Sequence, residues 1–125
     1  MKTIIAGTRT FTDYGLLEKA IHSSRFEITE VVCGLAKGAD SLGEQWAIQH
    51  NIPVAYFPAE WKLYGKKAGP LRNKQMAEYA DQLIALWDGE SKGTKNMIIE
   101  SHNANLKTFV FRYDIYMSDG MFKFF

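Results

Sequence analysis

Five short apolar runs recur along the chain and alternate with segments whose apolar residues have helical spacing. The runs are rich in β-branched, aliphatic and aromatic residues, and they span residues 2–6, 29–34, 53–57, 82–87 and 107–113. The first four have no polar alternation, which is typical of parallel strands buried on both faces. Because a helical segment separates each strand from the next, the pattern predicts a three-layer α/β domain, a parallel five-stranded sheet with helices on both faces.

The helical segments carry their own start signals. Thr12 and Asp13 are both suitable N-caps for a first helix, whose apolar stripe follows at once. Ser41 and Glu44 match a capping box at the start of a second helix. A third helix is expected at residues 70–80 and a fourth at 94–105.

Length and charge limit the classes of function. A chain of 125 residues with 46% hydrophobic residues fits one compact domain. We expect this domain at residues 1–113, followed by an aromatic tail at 114–125 that packs on the domain or on a second subunit. The formal net charge of +1 gives no general attraction to nucleic acid or to an anionic membrane.

The cysteine and histidine content bears on the redox compartment and on metal binding. Cys33 is the single cysteine, which excludes an internal disulfide and fits a reducing compartment. The three histidines lie far apart without metal-ligand spacing, so no metal site is expected.

The N-terminal apolar run is too short for a signal peptide, and no segment approaches the roughly 20 apolar residues that span a bilayer. We therefore expect a cytoplasmic protein without membrane contact.

Ligands of open parallel sheets bind outside the carboxyl ends of the strands, close to the point where strand order reverses. The loops that follow the first four strands are therefore the ones to inspect, and they span residues 7–13, 34–40, 58–73 and 88–94. Six basic residues of a nearly neutral chain fall in these loops: Arg9, Lys37, Lys66, Lys67, Arg72 and Lys92. This edge of the sheet suits a phosphorylated ligand.

Glycines follow the first two strands directly. In "GTRTF", Gly7 allows close approach of a ligand to the backbone, and Arg9 either grips phosphate or is a surface arginine on a tight turn. In "GLAKGAD", Gly34 and Gly38 are the better site candidates, because Asp40 has an alternative role at the helix start, where acidic residues serve as caps.

The third loop, "EWKLYGKKAGPLRN", is long and combines aromatic with basic residues. Loops of this length in a compact domain are functional or disordered, and the aromatic residues argue against disorder. Trp61 and Tyr64 can stack on a base or cover the core, and the two roles are compatible. Arg72, just after Pro70, is favoured as a site residue over a solvated helix-end charge, because Asn73 and basic residues converge there.

The fourth loop joins a strand to a helix that we expect to begin at Gly93 and Thr94. A helix start leaves backbone N–H groups unpaired and carries a partial positive charge, so a glycine-bearing loop there can receive an anion. The other interpretation of "DGESKGT" is a tight turn alone.

Together these motifs resemble the SLOG superfamily of Rossmann-like domains, and within it the YspA-like, YpsA-related branch. The resemblance covers roughly residues 3–105 and rests on "GTRTFTD", "VVCGLAKGAD", "AEWKLYGKKAGPLRNKQM" and "WDGESKGTKNM". It implies a Rossmann-like sheet, a pocket for a small nucleotide-derived ligand with no further cofactor, and a homodimer or higher homo-oligomer. The expected ligand-binding residues are Gly7, Thr8, Arg9, Gly34, Lys37, Gly38, Asp40, Trp61, Lys66, Arg72, Asn73, Asp88, Ser91, Gly93 and Thr94.

The same superfamily contains the lysine decarboxylase-like phosphoribohydrolases, which release a base from a nucleoside monophosphate. The run "RNKQM" is similar to the first half of their motif and places Arg72 on its arginine. The second half, PGGxGTxxE, is only partly kept, and Met97 stands where the motif has glutamate. A thioether cannot take the place of a carboxylate in proton transfer. Glu100 is the nearest acid and lies one helical turn further along.

Three functions remain open at this point. The leading hypothesis is a binding protein, a sensor or sequestering protein for a nucleotide-derived ligand, in keeping with a branch linked to bacterial and phage conflict systems. The second is a nucleotide hydrolase or N-glycosidase, with Arg72 and Glu100 as catalytic candidates and Asp88 or Glu90 as other acids. The third is single-stranded DNA binding, since DprA proteins carry a related domain, although the net charge disfavours it.

Overall fold

The computed structural model describes residues 1–115 and contains a parallel sheet of five strands in the order β3-β2-β1-β4-β5. The strands are β1 (Lys2–Gly7), β2 (Glu30–Cys33), β3 (Val54–Tyr56), β4 (Gln82–Trp87) and β5 (Lys107–Arg112). The helices are α1 (Tyr14–Ser24), α2 (Ala39–Gln49), α3 (Trp61–Tyr64), α4 (Ala68–Tyr79) and α5 (Lys92–Asn103), and a 3-10 turn at Gly65–Lys67 joins α3 to α4. The predicted α/β fold with a five-stranded parallel sheet is confirmed.

Alternation along the central strands divides the core between the two faces of the sheet. Ile5 in β1 and Ile84 in β4 point to one face, where they pack with residues of α1 and α2. Ile4 and Leu83 point to the other face, where they pack with residues of α4 and α5. The three layers predicted from the sequence are therefore present.

β3 departs from the prediction of a strand buried on both faces. It lies at the edge of the sheet and pairs only with β2. Val54 and Ala55 are half-buried and Tyr56 is exposed. An apolar run therefore predicted the strand correctly but not its position in the sheet, since an edge strand can use the same residues at partial burial.

The helix starts are partly as predicted. Asp13 caps α1, and its Oδ1 accepts a hydrogen bond from the Leu16 amide at 3.0 Å. The capping box at Ser41 is wrong, because α2 begins earlier, at Ala39, after Gly38 turns the chain with a φ of 75°. Glu44 instead accepts a hydrogen bond from the Tyr56 hydroxyl at 2.5 Å.

The segment predicted as a long loop at 58–73 is mostly helical. It contains α3, the 3-10 turn and the first turns of α4, which begins at Ala68, two residues before the predicted start. Pro70 lies in the first turn of α4, where its missing N–H interrupts no helical hydrogen bond. α5 also begins earlier than predicted, at Lys92, with Ser91 as its N-cap.

The structure leaves the C-terminal tail largely undescribed. The prediction that the aromatic tail packs on the domain or on a second subunit concerns residues 114–125, of which 116–125 lie outside the described part. Among the helices of residues 1–115, none has the length and apolar character needed to cross a bilayer.

Candidate functional site

A cavity of about 550 Å³ lies at the carboxyl edge of the sheet, between the loops that follow β1 to β4. The chain leaves β1 toward β2 on one side, while β4 pairs with β1 on the other, so this is the point where strand order reverses. The volume falls within the range of roughly 300–1,000 Å³ typical of small-molecule sites. We call it the carboxyl-edge cavity.

Most of the expected ligand-binding residues line this cavity. Those that line it are Gly7, Arg9, Gly34, Asp40, Trp61, Arg72, Asn73, Ser91, Gly93 and Thr94. Those outside its lining are Thr8, Lys37, Gly38, Lys66 and Asp88. Only half of the six basic residues expected at this edge line the cavity. Those that line it are Arg9, Arg72 and Lys92, and those that do not are Lys37, Lys66 and Lys67.

Three of the residues outside the lining shape the loops around it. Asp88 Oδ1 accepts hydrogen bonds from the amides of Glu90 and Ser91, each at 2.8 Å, and these bonds hold the pKa of Asp88 below its ordinary value. Thr8 Oγ1 accepts from the Asp88 amide at 3.2 Å and so ties the β1 loop to the β4 loop. Gly38 lies against the Thr8 carbonyl and starts α2.

The N-terminus of α5 forms one wall. Ser91 caps the helix, and its Oγ accepts from the Thr94 amide at 3.4 Å and lies 3.0 Å from the Thr94 hydroxyl. Gly93 is exposed at this turn, and a Cβ added there would meet no atom within 4 Å. Ser91 thus takes the Thr94 amide through its Oγ and the Lys95 amide through its carbonyl, whereas the amides of Lys92 and Gly93 have no acceptor among residues 1–115. These two N–H groups and the helix dipole favour an anion at this end of the helix.

Arg72 from α4 is held across the cavity from β2. Its Nη1 donates to the Gly34 carbonyl, and its Nε donates to Asn73 Oδ1 at 3.0 Å. Of the five guanidinium N–H groups, the other three have no acceptor among residues 1–115. Burial lowers the pKa of Arg72, but an arginine stays charged in proteins. The side chain therefore presents an oriented cation to the cavity.

Asn73 fixes the distance between α4 and α5. Its Nδ2 donates to Asn96 Oδ1 at 2.8 Å and to the Gly93 carbonyl at 3.4 Å, while its Oδ1 receives the Arg72 bond. The side chain is only 7% exposed. Asn73 therefore couples the position of the Arg72 cation to the α5 N-terminus.

Asp40, the second residue of α2, is a buried acid in the wall of the cavity. Its side chain is only 5% exposed, and Oδ2 accepts from the Ala36 amide at 3.3 Å. Burial raises the pKa of Asp40 to about 6, although Arg72 and the backbone N–H groups of Ala36, Gly7 and Gly34 favour the charged form. Asp40 is not the N-cap of α2, a position that Gly38 occupies.

An apolar wall lies on the β3 side. The Trp61 ring lies over Gly69, where an added Cβ would come within 3.3 Å of the ring. Trp61 is 54% exposed, so it lies at the rim and does not cover the core. Tyr64 does not line the cavity. Leu35, which is exposed and has a φ of 60°, lines it together with Pro58 and Pro70.

Met97 occupies the floor of the cavity and belongs to the core cluster beneath it, at 1% exposure. The position of the hydrolase motif's glutamate is thus held by a packed thioether. Glu100, the catalytic candidate one turn further along, does not line the cavity, and neither does Glu90. Among residues 1–115, no three side chains of His, Cys, Asp or Glu are grouped so that they could hold a metal ion.

Sequence reasoning missed several lining residues, including Leu35, Ala36, Pro58, Ala59, Gly69, Met76 and Asn96. Asn96 had a usable signal, since it lies three residues after Gly93 and therefore on the same face of a helix. Gly69 had none, because only the position of the Trp61 ring reveals the close approach.

These features define an open α/β domain with a cavity at the point where strand order reverses. The family model YAcAr, described as the YspA, cpYpsA-related SLOG family, matches residues 1–64. The Gene 61 protein of Mycobacterium phage D29 is 32% identical over 115 residues, a match that covers 84% of this chain and 91% of that protein. The chain belongs to the YspA, cpYpsA-related SLOG family.

A solved structure with the same fold is the DNA processing protein A (DprA) from Streptococcus pneumoniae. It is similar with a TM-score of 0.68 at 16% sequence identity, over 87% of this chain and 49% of that one. The chain thus spans about half the length of the DprA chain. At this identity the likeness shows a common fold.

Proposed function

We propose that this protein binds a nucleotide or nucleotide-derived ligand in the carboxyl-edge cavity, and that it acts as a sensor or sequestering protein. Membership of the SLOG family supports this class of ligand. The observation that carries the proposal is Arg72, a cation held by two protein acceptors with three N–H groups left over, facing the same cavity as the open α5 N-terminus.

The two ends of the cavity suit the two ends of a nucleotide. A phosphate at Gly93 would receive hydrogen bonds from the amides of Lys92 and Gly93 and charge-assisted bonds from Arg72. The apolar wall of Trp61, Leu35 and Pro58 offers a surface on which a base can stack. Arg9 and Lys92, both exposed at the rim, add positive charge for a second phosphate group.

The two alternative functions receive less support. Hydrolysis of a nucleoside monophosphate by the phosphoribohydrolase mechanism needs a carboxylate where Met97 is packed, and Glu100 lies outside the cavity lining. Binding of single-stranded DNA needs an extended basic groove, whereas Lys37 and Lys66 do not join Arg72 at the cavity.

A nucleotide panel tests the proposal. A ligand that binds only the folded protein stabilises it by about 2.7 kcal/mol at 100 times its dissociation constant. We expect at least one compound among ribonucleoside mono-, di- and triphosphates, cyclic nucleotides and ADP-ribose to raise the melting temperature. The proposal fails if none of them changes it at millimolar concentration.

Replacing Arg72 by lysine should weaken binding of the best panel compound by about ten-fold or more. Lysine keeps the charge beside Asp40 but loses the planar fork, and a hydrogen bond to a charged group contributes roughly 1.5–3 kcal/mol. Isothermal titration calorimetry measures the change. Arg25→Lys is the matched control, since Arg25 is exposed at the C-terminal end of α1, near the amino ends of the strands and away from the cavity. Equal affinities for Arg72→Lys and the control would remove Arg72 from the site.

A further inference from the structure

Asp40 is the one carboxylate that lines the carboxyl-edge cavity within the part of the chain that the structure describes. The other polar groups of the lining are cations, amides, hydroxyls and helix N–H groups. Asp40 is therefore a buried acceptor in a cavity whose remaining charges suit an anion. A phosphate cannot bind against it without repulsion between like charges.

Gly34 sets the distance between this acceptor and the Arg72 cation. A Cβ placed on Gly34 would lie 2.7 Å from Arg72 Nη1 and 2.8 Å from Asp40 Oδ2. Both charged groups thus approach Gly34 on the side where a Cβ would be, Arg72 from α4 and Asp40 from α2. When the phosphate of a ligand contacts Arg72, the part of the ligand that is a few bonds from the phosphate lies next to Asp40. Because a carboxylate only accepts hydrogen bonds, that part of the ligand should carry a donor.

Ribose hydroxyls are the donors of a nucleotide that meet this condition. They are separated from the 5′-phosphate by a few bonds, whereas the amino groups of a base lie at the far end of the molecule. The base has its own surface at Trp61 and Leu35, on the β3 side. A carboxylate has two oxygens and can accept from both hydroxyls of a vicinal diol.

We infer that Asp40 accepts hydrogen bonds from the ribose hydroxyls of the ligand and thereby selects ribonucleotides over 2′-deoxyribonucleotides. This inference rests on the proposed function and adds the class of sugar that the site takes. Burial of Asp40 strengthens the selection, because a buried carboxylate oxygen that a bound ligand shields from water without offering it a donor keeps only its backbone N–H partners. A 2′-deoxyribonucleotide lacks the 2′-hydroxyl donor, so one Asp40 oxygen receives no hydrogen bond from the ligand and the binding free energy is less favourable.

A second role of Asp40 is structural. Its Oδ2 accepts from the Ala36 amide, and the backbone N–H groups of Gly7 and Gly34 also favour its charged form, so Asp40 holds the β2–α2 loop in place. That role alone predicts no difference between a ribonucleotide and its 2′-deoxy counterpart. A comparison of the two ligands on the unaltered protein therefore separates recognition from loop support without any variant.

The experiment measures dissociation constants by calorimetry for the four common ribonucleoside 5′-monophosphates and their 2′-deoxy counterparts at about pH 7.5. We expect the ribose form of each base that binds to bind roughly ten-fold more tightly. In Asp40→Asn the ratio should fall to about two-fold or less, because the amide oxygen is a weaker acceptor for the 2′-hydroxyl than the carboxylate oxygen is.

The outcomes separate the two claims. Equal affinity of the ribose and deoxyribose forms overturns the inference and leaves the proposed function standing, and so does an unchanged ratio in Asp40→Asn. If neither form binds but ADP-ribose does, the same comparison is made between ADP-ribose and its analogue lacking the 2′-hydroxyl of the terminal ribose. Absence of binding by all of these compounds overturns the inference, and absence of binding across the whole nucleotide panel overturns the proposed function as well.

Discussion

Gly38→Ala is expected to destabilise the folded protein by roughly 3 kcal/mol or more, because strain and overpacking each cost about 1–3 kcal/mol. Gly38 has a φ of 75°, a backbone conformation that L side chains rarely adopt. An added Cβ would also lie 2.4 Å from the Thr8 carbonyl oxygen and 2.5 Å from the Arg9 carbonyl oxygen. The β1 loop cannot give way freely, since Thr8 also donates its amide to the Leu86 carbonyl at 3.0 Å.

Urea unfolding of Gly38→Ala measures this loss, and Gly93→Ala is the matched control. Gly93 has no atom within 4 Å of an added Cβ and lies inside α5, where alanine is the better helix former. We expect Gly93→Ala to be as stable as the unaltered protein or slightly more so. If both variants lose the same stability, or if neither loses any, the packing described for the α2 start is wrong.

The second large effect is a pH dependence of stability that Asp40 imposes. Burial raises the pKa of Asp40 from its ordinary 3.8 to about 6 in the folded protein. The folded protein therefore binds this proton more tightly than the unfolded chain. The stability contributed by protonated Asp40 is fully present below about pH 3.8 and is lost as the pH rises through about 6, in total roughly 3 kcal/mol.

Other acids oppose this trend, so a variant is needed to isolate it. Asp88 and Asp114 have lowered pKa values, the first from backbone N–H donors and the second from Arg112, and their contributions are lost as the pH falls. Arg72 is the charged group that faces Asp40, and it stays ionised throughout. In Asp40→Asn the proton-binding group is gone, while an acceptor oxygen for the Ala36 amide is kept.

We expect the unaltered protein to lose roughly 2 kcal/mol relative to Asp40→Asn between about pH 4.5 and pH 7.5. Urea unfolding of both proteins across this range gives the difference. A difference that stays constant with pH would mean that Asp40 titrates near its ordinary value, and hence that it is not enclosed in the cavity wall as described.

The fold was accessible from the sequence because its signals are local. Each strand is a short apolar run, and Asp13, one of the two N-cap candidates, caps α1. The apolar runs do not reveal the order of the strands in the sheet. β3 and β2 look alike as sequences, yet β3 lies at an edge and is half-exposed while Val32 in β2 is fully buried.

The candidate site was predictable in part, because the rule about carboxyl ends of parallel strands selected the loops that line the cavity. It failed where a residue's role depends on contacts distant in sequence. Asp40 had the local character of a helix cap, but its burial next to Arg72 results from the meeting of α2 with α4 at Gly34. The start of α4 was hidden by Gly69 and Pro70, which are helix breakers in most contexts and are tolerated here in the first turn.

Amide NMR shows directly whether a nucleotide binds with its phosphate at the α5 N-terminus and Arg72. The nucleotide with the largest effect on the melting temperature is titrated into the protein, and shifts of the backbone amide signals are followed. We expect the largest shifts at Gly93 and Thr94 and in the Gly34–Ala36 loop, with little change at Arg25 and Asn51, which lie at the other end of the strands. Shifts concentrated at that other end, with Gly93 and Gly34 unchanged, would contradict this mode of binding.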